Sequence, residues 1–302
     1  MSGRIPVTVL SGYLGAGKTT IINRVLTGGH GLRLGVLVND FGPVNIDARL
    51  IAAEGDNLVE MSNGCVCCSI NDDLGEAMNA IAARPNPPQR LLLEASGVAE
   101  PARIAMMAGH WPGFELDAVV VAADAETVEA RARDKYVGRL IRNQLLAADL
   151  IVLTKGDLVG PERLAKVTDW LLELQPEVRI VHALDGQVPV EILLGETQRT
   201  GTLACHDHVH AQFSTAVWRP TGPVDTERLA DLLEALPPSV HRIKGFVQDA
   251  ASGTGMLIQS VGPRFLLTPV DLPDDPSLVL ISIGPRHGLD ELCCQLDGLV
   301  RK

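Results

Sequence analysis

Gly12-Tyr13-Leu14-Gly15-Ala16-Gly17-Lys18-Thr19 is the stretch that decides the fold of this 302-residue chain. It fits the Walker A pattern: a glycine, four residues, then Gly-Lys-Thr. Its flanks fit as well. Ile5–Leu10 before it is a short β-rich run, and Lys18–Leu26 after it carries Ile21, Ile22, Val25 and Leu26 at helical spacing. Glycines let backbone N–H groups turn inward around a phosphate, and the start of the following helix adds partial positive charge there. Lys18 can bridge the β- and γ-phosphates, and the Thr19 hydroxyl can ligate Mg²⁺. Gly12, Gly15, Ala16, Gly17, Lys18, Thr19 and Thr20 are therefore the expected phosphate-binding residues.

Outward from this loop the chain alternates strand-like and helix-like segments. Leu34–Val38, Leu91–Leu93, Ala118–Ala123, Leu150–Leu153 and Val178–Val181 are continuous apolar runs, as expected of strands buried on both faces of a parallel sheet. Helices are expected at Asp72–Ala83, Gly138–Ala147 and Glu162–Leu174, the last opened by Pro161. The alternation predicts a doubly wound α/β domain with a mostly parallel sheet. Val188–Leu194 is a short apolar stretch, and a linker is placed at about 195–210 by the change of rhythm there. Beyond it, Phe213–Trp218, Ile243–Val247, Gly255–Val261, Phe265–Leu267 and Leu278–Ile283 read as strands, with helices at Asp225–Leu236 and around Leu289–Val300. The expected organisation is a P-loop domain over 1–200 and a small α+β domain over 208–302.

Two further motifs narrow the chemistry. Leu91-Leu92-Leu93-Glu94 is an apolar strand ending in a carboxylate, so Glu94 is a candidate Mg²⁺ partner, directly or through water. Gly97, three residues on, can offer its N–H to a γ-phosphate. Thr154-Lys155-Gly156-Asp157 follows another apolar strand and matches the base-reading loop [N/T]-K-x-D. A carboxylate at Asp157 accepts from guanine N1–H and the exocyclic amine together. Adenine lacks that donor pair, so guanine is favoured. Lys155 is expected along the base. An ATP-dependent small-molecule kinase fits this loop poorly.

Composition sets limits. With 26 basic against 37 acidic residues, the net charge of −11 does not suit general nucleic-acid binding. No apolar run approaches the length of a membrane span, and the N-terminal run leads directly into the glycine-rich loop rather than a cleavage site. A cytoplasmic protein is expected, monomeric or homodimeric. The six cysteines are bunched at Cys65, Cys67, Cys68, Cys205, Cys293 and Cys294, unlike a disulfide framework.

Asn63-Gly64-Cys65-Val66-Cys67-Cys68 places three thiols within four residues. Thiolates suit Zn²⁺ or Cu⁺, and added imidazole widens the choice to Ni²⁺ and Co²⁺. Three protein ligands leave a position open, which favours transfer over permanent structural binding. The cluster lies between the phosphate loop and Glu94, the interval that responds to the γ-phosphate in P-loop GTPases.

Taken together, Gly12–Thr20, Asn39-Asp40-Phe41-Gly42 with Asn45-Ile46-Asp47, Asn63–Cys68, Glu94–Pro101, Gln144–Asp157 and the Lys244-Gly245 stretch resemble the CobW-type metallochaperone GTPases, a family that includes zinc-transfer proteins and nitrile hydratase activators. The likeness spans nearly the whole chain. It implies a GTPase domain and a smaller C-terminal α+β domain. It also implies Mg²⁺-dependent hydrolysis of GTP to GDP, metal binding by Cys65, Cys67 and Cys68, and a client metalloprotein that receives the metal. Zn²⁺ is the first expectation, with Co²⁺, Ni²⁺ or Fe²⁺ as alternatives. A GTP-regulated metal buffer or sensor is a second reading. The sequence departs from the family at Val38 and Pro43, where many members carry acidic residues that help bind metal, leaving Asp40 or Asp47 as substitutes. Ala95 stands where Thr, Ser or Cys is usual.

His206, His208 and His210 alternate beside Cys205, so an extended backbone would put all three imidazoles on one face as a secondary metal site. Cys293-Cys294 falls in the last expected helix, where packing is the simpler reading. Trp111, Trp170 and Trp218 are expected to pack. Asp124, after an apolar strand, is either a structural cap or a nucleotide-side residue.

Overall fold

The structure is a computed structural model. It describes residues 4–28, 31–38, 58–60, 70–183, 186–195, 213–237, 239–262, 264–283 and 287–301. Two compact units emerge, Met1–Pro176 with Ile180–Leu194, and Glu177–Arg179 with Gly195–Lys302.

The first unit is built on a seven-stranded sheet. Its strands are β1 (Ile5–Ser11), β2 (Leu34–Val38), β3 (Leu58–Glu60), β4 (Arg90–Glu94), β5 (Phe114–Asp124), β6 (Leu150–Thr154) and β7 (Arg179–His182), in the order β3-β2-β4-β1-β5-β6-β7. The β1–β4, β1–β5, β2–β3, β2–β4 and β5–β6 pairings are parallel. Burial explains why apolar runs mark these strands: every residue of β2, β4 and β6 is buried. Helices α1 (Lys18–Thr27), α2 (Ile70–Ala82), α3 (Pro101–His110), α4 (Val128–Ala132), α5 (Gly138–Leu146), α6 (Pro161–Leu174) and α7 (Val190–Leu194) complete the unit. Parallel strands send all their C-terminal ends to one edge. The loops after β1, β4, β5 and β6 therefore gather there, beside the centre of the sheet where crossovers change direction.

Several elements depart from the expected reading. β5 starts at Phe114, four residues before the apolar run. Glu115 and Asp117 interrupt that run, but the buried Asp117 carboxylate meets the Arg90 guanidinium at 3.2 Å and accepts from the Thr8 hydroxyl at 3.4 Å. A buried carboxylate with such partners is compatible with a strand interior. Helix α3 also goes beyond expectation. Pro101 opens it, and Ile104, Ala105 and Ala108 form its buried side. α4 is one short turn and a half, too brief for periodicity to mark. Trp111 packs as expected: its indole lies where a Cβ on Gly75 of α2 would fall, and its Nε1 donates to Asn79 at 3.0 Å.

The second unit is a five-stranded sheet of β8 (Phe213–Trp218), β9 (Val240–Gln248), β10 (Gly255–Val261), β11 (Arg264–Val270) and β12 (Leu278–Ile283), ordered β11-β10-β9-β12-β8. All four pairings are antiparallel. Helices α8 (Thr226–Glu234) and α9 (His287–Asp297) supply Leu229, Leu233, Leu289, Leu292 and Leu296 to a single core with Trp218, Ile243, Val247, Ile258 and Leu280. Asp225 caps α8 by accepting from the Arg228 amide at 3.2 Å. Gly245 sits at φ 153 with the Ser277 carbonyl where a Cβ would stand. The Lys244-Gly245 stretch thus marks a close approach of β9 and β12. Cys293 packs against the core and Cys294 is exposed, as expected of adjacent residues on a helix.

Candidate functional site

The phosphate loop connects β1 to α1. Gly12, Gly15 and Gly17 have φ of 137, 75 and 90, conformations that side-chain-bearing residues rarely adopt. Gly12 has a second constraint, because a Cβ there would run into the Ala122 carbonyl of β5. The loop turns on a hydrogen bond from Ala16 N to Tyr13 O at 3.1 Å, and α1 begins with Ile21 N donating to Gly17 O at 3.0 Å. Lys18 is buried. Its Nζ reaches back across the loop and donates to Gly12 O at 3.0 Å, so the ammonium is held against the start of the loop. Thr19 follows half-buried in the first helical turn, and Thr20 is exposed.

Glu94 ends β4 in register with Leu10, the residue two before the first loop glycine. It is 2% exposed, so its carboxylate lies within the sheet edge rather than on the surface. Ala95 N continues the ladder by donating to Leu10 O at 2.8 Å. Gly97 then lies against the phosphate loop: a Cβ on it would stand 2.6 Å from Leu14 Cδ2 and 2.9 Å from Leu14 N.

The third component follows β6. The Thr154 hydroxyl lies 2.9 Å from Ala16 O and 3.2 Å from Ala123 O, tying the start of the base-reading loop to the phosphate loop. Lys155 takes a left-handed conformation at φ 57, and its Nζ donates to Asp124 at 2.8 Å. Asp157 sits exposed in a single 3₁₀ turn over Gly156–Leu158, at the same edge of the sheet. Asp124, left between two roles by the sequence, accepts from Lys155 and from the Glu126 amide at 2.9 Å. Burial alone would push its carboxyl up. The Lys155 hydrogen bond, the Glu126 amide and the Lys155 charge together carry it below the usual value.

Two residues at this edge had no expected role. Arg131 of α4 donates from Nη1 to Leu14 O at 2.8 Å, with its guanidinium 5.1 Å from the centre of the Tyr13 ring. Gln144 of α5 is buried, and its Nε2 donates to both Gly97 O and Ala99 O at 3.0 Å. The sequence carried a signal for the second. Gln144 is a polar residue at helical spacing between the buried Ile141 and Leu145.

Cys65, Cys67, Cys68, His206, His208 and His210, together with Asp40, Pro43 and Asp47, lie outside the described residues. Among the described residues, no group of three or more His, Cys, Asp or Glu side chains could hold a metal ion. Nor is any helix among them long and apolar enough to cross a membrane.

Residues 6–182 match the model of the CobW/HypB/UreG nucleotide-binding domain, and residues 213–292 match the cobalamin synthesis protein cobW C-terminal domain. The chain is 31% identical to zinc chaperone CobW of a Sinorhizobium species over 87% of its own length and 86% of that protein. It is 32% identical to zinc chaperone YjiA of Escherichia coli over 98% of both. Among solved structures, that of Zn(II)-bound YjiA GTPase from E. coli aligns over 99% of this chain and 100% of that one, at 22% identity and a TM-score of 0.50. Phosphate loop, buried Glu94 and base-reading loop thus occur on the fold these matches describe, and the chain belongs to the CobW/HypB/UreG family of P-loop GTPases.

Proposed function

We propose that this protein binds and hydrolyses GTP in order to deliver a transition metal, first of all Zn²⁺, to a client metalloprotein in the cytoplasm. The observation that carries the nucleotide half is the convergence at one sheet edge of the Gly12–Thr19 loop, Glu94 and the Thr154–Asp157 loop, with Thr154 hydrogen-bonded to Ala16. Lys18 neutralises charge on the transferring phosphate, the loop amides from Gly12 to Thr20 cradle the phosphates, and Asp157 selects guanine. Gly97 offers its N–H to the γ-phosphate. The Thr19 hydroxyl and Glu94 carboxylate form an oxygen donor set that suits Mg²⁺, which when bound would neutralise charge on the β- and γ-phosphate oxygens. In this reading the GTPase domain spans 1–200 and the C-terminal domain 208–302.

The metal half rests on Gly64-Cys65-Val66-Cys67-Cys68 and on the zinc chaperone names of the relatives. Cys65, Cys67 and Cys68 hold the cargo as thiolates, with a position left for the client's ligand. His206, His208 and His210 serve as a secondary capture site. The test is a zinc titration of the wild type and of a Cys65→Ser, Cys67→Ser, Cys68→Ser variant, each with GDP and with a non-hydrolysable GTP analogue. Coupling predicts zinc affinities that differ about 5- to 150-fold between nucleotide states, and loss of the tight site in the variant. Equal affinity in both states would remove the coupling, and unchanged binding in the variant would remove the site.

A further inference from the structure

The phosphate loop and the segment after Glu94 abut, since Gly97 lies against Leu14. A small cavity lies beside the phosphate loop, lined by Tyr13, Ala16, Ala123, Arg131, Ile141 and Gln144 among others. Hydrogen bonds from the neighbouring helices hold both segments: Arg131 to Leu14 O at 2.8 Å on one side, and Gln144 to Gly97 O and Ala99 O at 3.0 Å on the other.

Gln144 is chemically suited to this place. Two carbonyl oxygens at equal distance call for two N–H donors from one neutral group, which a primary amide supplies. The same pair of acceptors fixes which end of the amide faces them. At 1% exposure the side chain has no access to solvent. A donor lost here would leave the buried Gly97 carbonyl and the part-buried Ala99 carbonyl short of a partner.

We propose that Gln144 is a positioning residue for the γ-phosphate end of the nucleotide site. Its amide holds the carbonyls of Gly97 and Ala99, and so restrains the Gly97 backbone, whose N–H lies in the adjoining peptide plane, against the phosphate loop. GDP, which lacks the γ-phosphate, does not use that N–H. Gln144 therefore acts on the distinction between GTP and GDP rather than on nucleotide binding as such. The inference rests on the reading of Gly12–Thr19 as the phosphate site.

The test compares wild type with Gln144→Met, similar in length but no donor, and Gln144→Glu, whose carboxylate faces two carbonyls. GDP and a non-hydrolysable GTP analogue are titrated into each, and GTP turnover is measured. The expected result is analogue affinity reduced about 10- to 30-fold with GDP affinity within about 2-fold of wild type, as loss of one charge-assisted hydrogen bond from the Gly97 N–H to the γ-phosphate would give. Turnover should fall by at least the same factor. A purely structural role would weaken both nucleotides together, and that outcome, or no change in either, overturns the proposal. Wild type that fails to bind GDP would instead overturn the guanine-nucleotide reading. A measurement on wild type alone guards against variants that do not fold: the Gln144 side-chain NH₂ resonances should move when the analogue replaces GDP. Resonances that stay fixed also overturn the proposal.

Discussion

Replacing Thr154 by Val isolates the tie between the base-reading and phosphate loops. The side chain is 3% exposed, its Oγ1 lies 2.9 Å from Ala16 O, and its methyl group faces Gly17, where a Cβ would sit 3.4 Å away. Valine keeps that methyl and nearly the same shape. A hydroxyl has one proton, so it donates to Ala16 O or to the Ala123 carbonyl at 3.2 Å, not fully to both. What the substitution removes is therefore one buried hydrogen bond, with a carbonyl left short of a partner, about 1–3 kcal/mol. For a unit of this size that corresponds to a fall in Tm of about 3–9 °C. The nucleotide affinity should change less. A hydrogen bond missing equally from free and bound protein cancels, and only order that the phosphate loop must regain on binding enters Kd. A loss of GDP affinity below about 10-fold is expected. Thermal melts with and without GDP, beside fluorescence titration, measure both quantities. Thr154→Ser is the control: it keeps the donor and loses a methyl, costing about 1 kcal/mol. Thr154→Val as stable as wild type, or Thr154→Ser worse than Thr154→Val, would refute the assignment of this bond.

Other positions make independent predictions. Gly12→Ala meets both φ 137 and the Ala122 carbonyl and should lose the folded nucleotide site, whereas Gly15→Ala, with φ 75 and open space around it, should cost only about 1 kcal/mol by thermal melting. Asp124 has a folded pKa below its ordinary value, so its contribution is present above about pH 4 and is lost as pH falls through the lowered folded value. Asp124→Asn should therefore lower stability at pH 7 and flatten the acid side of the stability–pH curve, read by denaturant titration across pH. Asp157→Asn should weaken GDP binding and favour XDP, because an amide can donate to the xanthine carbonyl that replaces guanine's amine. Competition between the two diphosphates measures this.

The sheet was legible because a parallel sheet buries both faces of its strands. Leu34–Val38, Leu91–Leu93 and Leu150–Leu153 had to be apolar throughout, and no helix of that length would leave the same trace. The same logic hid the first part of β5. There, burial is made possible by the Arg90–Asp117 pair, and a strand that carries charge inward looks like a loop until its partner, 27 residues away, is known. The phosphate and base-reading motifs were legible because backbone geometry dictates their residue types: glycine where φ is positive, Lys18 where an ammonium must fold back.

What sequence could not supply was the set of hydrogen bonds between those motifs. Each of these loops is short, and no strand ladder holds it. The fold compensates by bonding each loop to a neighbour: Thr154 to Ala16, Lys155 to Asp124, Arg131 to Leu14, Gln144 to Gly97 and Ala99. All of these partners but Asp124 are backbone carbonyls, which every residue has, so one end of each such bond leaves no mark in the sequence. The other end is a polar side chain on an otherwise apolar helix face or strand end, as with Gln144 between Ile141 and Leu145. A nucleotide that bears on any one loop is therefore felt by the others through these bonds.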